Sequence, residues 1–234
     1  MSECSQSARV DRINSSYLIH ELFHFFTHIE KQFLQTSWLM LTSSGPLFLS
    51  FVNGKRKAYQ SPVSYFLIWA AITILCLYGL ELFFGKDQVI RYNNYFGDGQ
   101  TTNFAVRHLS FVLAFLFPVF SIYFWLLYAR PFYNYFESLT SVLYVLGTIL
   151  MLQTGFILIA LCYYSLSKSS VPLIYSDPQK VLYLIWFSYS FLKHSSQKNK
   201  WIRGILFVAM AFVSFSLWRI QFYPWLAMHF LFGH

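Results

Sequence analysis

Long apolar stretches are the feature that most constrains how this chain can fold. Five segments each approach the roughly 20 residues that an α-helix needs to cross the hydrocarbon core of a bilayer. Backbone amides and carbonyls find no water inside lipid, so such segments are expected to be helical. The sequence predicts an all-α, polytopic membrane bundle over residues 59–234. Its five transmembrane helices are expected at about residues 62–84, 105–128, 140–164, 178–192 and 202–222.

The composition agrees with lipid as the main solvent. Of the 234 residues, 56% are hydrophobic, 22% are aromatic and only 11% are charged. Soluble domains carry about 25% charged residues. The formal net charge is +8, but the basic residues flank apolar segments and do not gather on one face, as they do in nucleic-acid binders. The expected partner is therefore the bilayer, and nucleic acid is not expected.

Basic residues at the helix ends predict the orientation. Cytoplasmic loops of membrane proteins carry an excess of Lys and Arg. With five crossings, three basic connections fall on one side; they hold Lys55, Arg56, Lys57, Arg130, Lys193, Lys198, Lys200 and Arg203. On the other side the basic residues are sparse and have acidic neighbours. We expect a cytoplasmic (inner) membrane protein with its N-terminus in the cytoplasm and its C-terminus outside.

The segment before the first predicted span, residues 1–58, is expected to be cytoplasmic. Within it, residues 14–42 place apolar side chains at three- and four-residue steps, which predicts an amphipathic helix on the membrane surface or beneath the bundle. "SSGP" is expected to break this helix, because Gly45 and Pro46 are strong punctuators. A short apolar run follows and ends at Gly54, a natural helix C-cap.

The stretch "HELFHFFTH" contains the spacing of the zinc-protease signature H-E-x-x-H. His20 and His24 would share a helix face and bind zinc, and Glu21 would activate water. His28 lies about 12 Å along the axis from His20, too far for both to hold one zinc. The three histidines also coincide with the polar face of the predicted helix. We therefore favour a polar stripe over a metal site and expect no catalytic residue and no cofactor.

The stretch "GKRKAY", residues 54–59, is a basic cluster at the entrance to the first span. Lys55, Arg56, Lys57 and Tyr59 are the candidate residues here. They are either a topology determinant or a site for anionic lipid headgroups, to which each basic residue near the surface contributes about 1 kcal/mol.

Ionisable and polar residues inside the predicted spans form two further candidates. Glu81 and Arg219 lie near the same predicted end of their helices and are a candidate intramembrane ion pair, although both can also extend to water. Gln153, Thr154 and Gly155 form a small polar notch at mid-span. Such notches usually serve helix packing, and a substrate pathway is the alternative.

The chain resembles a bacterial family of multi-pass membrane proteins, the domain-of-unknown-function 3667 family. The resemblance covers about Arg12 to Phe66. It rests on "RINSSYLIHELFHFFTHIEKQFLQT", on "NGKRKAY" and on the proline that follows. The matching positions are Thr36, Gly54, Lys55, Arg56, Tyr59 and Pro62. The chain departs from the family in having "GP" at 45–46, where the family tends to have "PG", and in lacking the zinc ribbon that many members carry at the N-terminus. The resemblance implies a bacterial cytoplasmic-membrane protein without a known reaction.

Three functional hypotheses remain. The preferred one is a non-enzymatic scaffold, a subunit of an envelope complex or a lipid-interacting module, with other membrane proteins or a second copy as possible partners. The second is a membrane zinc metalloprotease using His20, Glu21 and His24. The third is a small transporter or channel subunit, which would need a polar cavity near Gln153.

Overall fold

The computed structural model describes residues 32–85, 88–91, 109–130, 132–194 and 199–217. Seven α-helices lie in this part of the chain. They are α1 (Phe33–Thr42), α2 (Ser44–Val52), α3 (Pro62–Phe84), α4 (Leu109–Phe124), α5 (Tyr135–Ser167), α6 (Asp177–Lys193) and α7 (Lys200–Leu217). Short 3₁₀ turns cover Arg56–Ala58 and Leu173–Ser176, and a π-helical turn, Trp125–Ala129, continues α4. The predicted all-α class is confirmed.

The long helices α3 and α5 pack side by side and run parallel. The Tyr65 hydroxyl is 3.1 Å from the Thr148 hydroxyl, and further along both helices Phe84 meets Tyr164 with ring centroids 5.9 Å apart. Gly147 lets the two helices approach closely, because a Cβ there would lie 2.7 Å from the Tyr65 ring. The part of the chain that connects α3 to α5 must therefore run back to the end of the bundle where α3 begins.

Helices α4 and α6 run in the opposite direction to α7. Tyr123 of α4 accepts a hydrogen bond from Ser214 at the far end of α7. Tyr128, in the π-helical turn that continues α4, donates to the carbonyl of Gly204 near the start of α7. The rings of Tyr189 in α6 and Trp201 in α7 likewise stack across the connection between the two helices. Five helices, α3 to α7, thus alternate in direction through one bundle.

Three segments are long and apolar enough to cross a membrane: Arg56–Phe84, Tyr135–Ser167 and Lys200–Leu217. They contain the described parts of the predicted spans 62–84, 140–164 and 202–222. The predicted span 105–128 overlaps a shorter apolar helix, Phe117–Tyr128. The predicted span 178–192 corresponds to α6, which has 17 residues. Three possible crossings are therefore present in the described chain, fewer than the five predicted.

Large hydrophobic side chains lie on the surface of the described residues as well as in the core. Large hydrophobic side chains such as Leu166 and Phe83 are 88% and 79% exposed. Aromatic rings fill the interior where α2, α4, α6 and α7 meet. This central cluster consists of Phe48, Phe124, Tyr128, Phe187, Phe191 and Phe207.

Two features were not predicted from the sequence. The first is a pair of two-residue parallel strands, Ile90–Arg91 with Val171–Pro172, which joins the segments that follow α3 and α5. The second is the position of Gly45 and Pro46 inside a helix, although "SSGP" was expected to break the helix at these residues. The break falls at Ser43, and Gly45 and Pro46 lie in the first turn of α2, where proline is tolerated because first-turn amides need no helical partner.

Candidate functional site

The candidate site lies at the end of the bundle where α3 and α5 begin. We call residues 33–61, which comprise α1, α2 and the basic turn before α3, the N-terminal box. Its turn starts with a Schellman motif: the amide of Lys55 donates to the carbonyl of Ser50 and that of Gly54 to Phe51, at 2.9 and 3.1 Å. Gly54 has φ +106°, a value that residues with a side chain rarely adopt. The glycine thereby reverses the chain and presents the basic residues.

Buried hydrogen bonds attach the basic turn to the bundle. The amide of Gln60 donates to the Thr36 hydroxyl at 2.9 Å, and the Tyr144 hydroxyl donates to the carbonyl of Gln60. Thr36, Gln60 and Tyr144 are all 1% exposed or less. Gln60 thus links α1, the basic turn and α5, and these two hydrogen bonds hold the turn in a defined position.

A second attachment joins α2 to α6. The amide of Gly45 donates to the Ser190 hydroxyl at 3.0 Å. A Cβ at position 45 would lie 2.3 Å from the Ser190 carbonyl oxygen, so the close approach requires glycine. Gly45, which was predicted to break a helix, therefore allows the close contact between the N-terminal box and the bundle.

The start of α5 beside the box is capped by a reciprocal pair of hydrogen bonds. The side chain of Asn134 accepts from the amide of Glu137 at 2.7 Å, and the carboxylate of Glu137 accepts from the amide of Asn134 at 2.8 Å. Glu137 is only 3% exposed. The pKa of the Tyr133 phenol is raised by burial and, to a smaller degree, by the Glu137 charge.

The exposed surface of this end is cationic. Lys55, Lys57 and Lys193 are exposed, and the Arg130 guanidinium lies 4.4 Å from the centroid of the Trp125 ring. Glu137 is buried, and the other acidic residues that the structure describes, Glu81 and Asp177, lie at the opposite ends of their helices. Among the residues that the structure describes, the exposed charged side chains at this end are therefore basic.

The four candidate residues of the predicted basic cluster differ in their exposure. Lys55 and Lys57 are exposed, whereas Arg56 and Tyr59 are half-buried. The two lysines are therefore the most accessible of the four side chains. Arg56 and Tyr59 lie partly within the fold, where they contribute to packing.

Of two other candidate sites, one lies wholly and the other partly outside the described residues. His20, Glu21 and His24 lie outside them, so the zinc hypothesis stays a prediction. Arg219 also lies outside, and Glu81 is exposed in the last turn of α3, so the predicted ion pair is untested as well. Among the residues that the structure describes, no group of three His, Cys, Asp or Glu side chains could hold a metal ion.

Within the polar notch at mid-span, Thr154 packs between helices. The Thr154 hydroxyl lies 2.9 Å from that of Thr73, and Thr73 also reaches the carbonyl of Leu150. Thr154 and Gln153 are 6% and 7% exposed. These contacts join α3 to α5 and leave the notch as part of the interface.

Sequence reasoning missed several residues of the site. Gln60, Tyr144 and Ser190 carry the attachment, and nothing in their local sequence distinguishes them. Asn134 and Glu137 could have been found, because "NYFE" has the N-cap and N3 spacing of a capping box.

A family model matches part of the chain. No curated protein and no solved structure matches the chain. The model of a family described as "Protein of unknown function (DUF3667)" matches residues 30–74. That range holds α1, α2, the basic turn and the first half of α3. The resemblance predicted from the sequence is therefore confirmed over the N-terminal box and the start of α3.

Proposed function

We propose that this protein is a multi-pass integral protein of the bacterial inner membrane whose N-terminal box forms a rigid cationic platform at the cytoplasmic face. In this proposal Lys55 and Lys57 bind the headgroups of anionic lipids. The protein acts without catalysis, as a scaffold or as a subunit of an envelope complex.

One observation carries the proposal. The turn that exposes Lys55 and Lys57 is fixed by buried hydrogen bonds from Gln60 to Thr36 and from Tyr144 to Gln60. A sequence that served only to set the topology would need charge alone. Holding two lysines on a rigid turn instead reduces the conformational entropy that is lost when an anion binds.

Membrane insertion is supported by the three helices that are long and apolar enough to cross a bilayer. It is also supported by the alternating directions of α3 to α7, because alternation brings the starts of α3, α5 and α7 to one end. That end carries the lysines of the basic turn. The positive-inside rule assigns such an end to the cytoplasm.

The test is a lipid titration of the full-length protein in neutral detergent. Phosphatidylglycerol should stabilise the wild type against heat, because a ligand that binds the folded state raises the unfolding temperature. The variant with Lys55→Gln and Lys57→Gln should bind it roughly 25-fold more weakly, since each basic residue contributes about 1 kcal/mol.

The control is Lys168→Gln, which removes an exposed charge at the opposite end of α5. It should leave the titration unchanged. Equal losses in the control and in the double variant would show a non-specific charge effect and would contradict the proposal, as would unchanged binding by the double variant.

A further inference from the structure

A lateral groove between α6 and α7 is separate from the basic turn. Its volume is about 610 Å³, within the range of about 300–1,000 Å³ that is usual for small-molecule sites. Ile185 of α6 and Ile205, Val208 and Phe212 of α7 line it. Ile185, Ile205 and Phe212 are 49%, 71% and 52% exposed, so the groove opens outward from the bundle, toward the surroundings of the helices.

The groove has an aromatic and cationic rim at the end near the N-terminal box. The rings of Tyr189 and Trp201 stack there with centroids 5.7 Å apart, and both residues line the groove. The Lys200 ammonium lies 5.9 Å from the centroid of the Trp201 ring. Trp and Tyr are enriched where membrane-spanning helices meet lipid headgroups, so this rim combines an interfacial aromatic pair with a positive charge.

In the described segments that form the groove, the charged side chains are all basic. Residues 185–194 and 199–213 contain three cations, Lys193, Lys200 and Arg203, and no Asp or Glu. A second cavity of about 590 Å³ lies beside α6 and is bordered by Asp177 and Lys180, which form an ion pair at 3.1 Å. The two cavities have similar volumes, but only the groove has an excess of positive charge at its rim.

We propose that the α6–α7 groove binds one acyl chain of an anionic glycerophospholipid, with the lipid phosphate beside Lys200 and Trp201. The apolar walls accommodate the chain, the Tyr189–Trp201 pair covers the glycerol region, and Lys200 attracts the phosphate. The site rests on the membrane insertion proposed above, but it does not depend on headgroup binding by Lys55 and Lys57.

The test uses phosphatidylglycerol with a photoactivatable diazirine on its acyl chain, incorporated with the full-length protein into phosphatidylcholine nanodiscs. After illumination, the labelled residues are located by peptide mass spectrometry. Labelling should concentrate on residues 181–212 that line the groove. The same diazirine chain on phosphatidylcholine should label them several-fold less, because that headgroup has no net charge to attract Lys200.

Two variants test the chain and the phosphate separately. Ala209 is exposed and lines the groove, so Ala209→Phe should fill it and remove the concentrated labelling. In a second experiment, unlabelled phosphatidylglycerol competes with the photoactivatable lipid for the groove. Lys200→Gln should raise the concentration needed for half-maximal competition about five-fold, which corresponds to a loss of about 1 kcal/mol in binding. Ala71→Phe is the matched control, because Ala71 is exposed on α3, away from the groove, and should behave as the wild type.

Each other outcome would overturn the proposal. Labelling spread evenly over the exposed faces of α3, α5 and α7 would exclude a specific groove site while leaving membrane insertion intact. Unchanged labelling in Ala209→Phe would also exclude it. No labelling of any helix would contradict membrane insertion itself. Phosphatidylglycerol binding that is lost on replacing Lys55 and Lys57 but unaffected by Ala209→Phe and Lys200→Gln would support headgroup binding by the N-terminal box and exclude the groove site.

Discussion

At the scale of single residues, Thr36 shows how the N-terminal box is held. Its hydroxyl accepts the hydrogen bond of the Gln60 amide in a fully buried position. Replacing it with Val keeps the shape and removes the acceptor, which leaves a buried amide without a partner. Thr36→Val should lower the free energy of unfolding by about 1–3 kcal/mol, measured by denaturant unfolding in mixed micelles.

Thr42→Val provides the matched control for this substitution. Thr42 lies in the same helix, is exposed, and uses its hydroxyl to bond the carbonyl of Trp38 within its own helix. Its loss should change the free energy of unfolding by less than about 0.5 kcal/mol. Equal effects of the two substitutions would mean that the bond between Thr36 and Gln60 does not hold the box.

At the scale of elements, α5 is the central helix, and its start depends on its cap. Asn134→Ala removes the side-chain oxygen that accepts from the amide of Glu137. Losing an N-cap costs about 0.5–2 kcal/mol, so the midpoint of thermal unfolding should fall. Asn134→Asp retains an acceptor and should keep most of the stability. If the two variants were equally unstable, the hydrogen bond would not be the reason for the loss.

The helices themselves could largely be predicted from the sequence. Apolar length identified α3, α5 and α7, and the predicted start of the first span at residue 62 coincides with the start of α3. The strand pair formed by Ile90–Arg91 and Val171–Pro172 could not be predicted, because it joins segments about 80 residues apart and each strand has only two residues.

The candidate site was predictable only in part. The basic residues of the turn are evident in the sequence, but their division into exposed Lys55 and half-buried Arg56 depends on how the turn docks. That docking uses Tyr144 and Ser190, which come from other helices. Contacts between distant segments follow from tertiary packing and leave no local pattern.

At the scale of the whole molecule, α3 and α5 run parallel, so a membrane that both helices cross would lie between the end where they begin and the end where they finish. Ala58 lies at the box end, whereas Ser169 follows the opposite end of α5, and both residues are exposed. If α3 and α5 cross a bilayer in the same direction, these two positions lie on opposite sides of it. A membrane-spanning bundle with a cytoplasmic box therefore requires these two positions to be accessible from opposite sides of the membrane.

The most direct measurement is cysteine labelling with a membrane-impermeant maleimide in intact cells. Ala58→Cys and Ser169→Cys are introduced separately after Cys4, Cys76 and Cys162 have been replaced by Ser. We predict that Ser169→Cys reacts in intact cells and that Ala58→Cys reacts only after the membrane is permeabilised. Reaction of both positions from the same side would contradict a membrane-spanning bundle, and the reverse pattern would contradict a cytoplasmic N-terminal box.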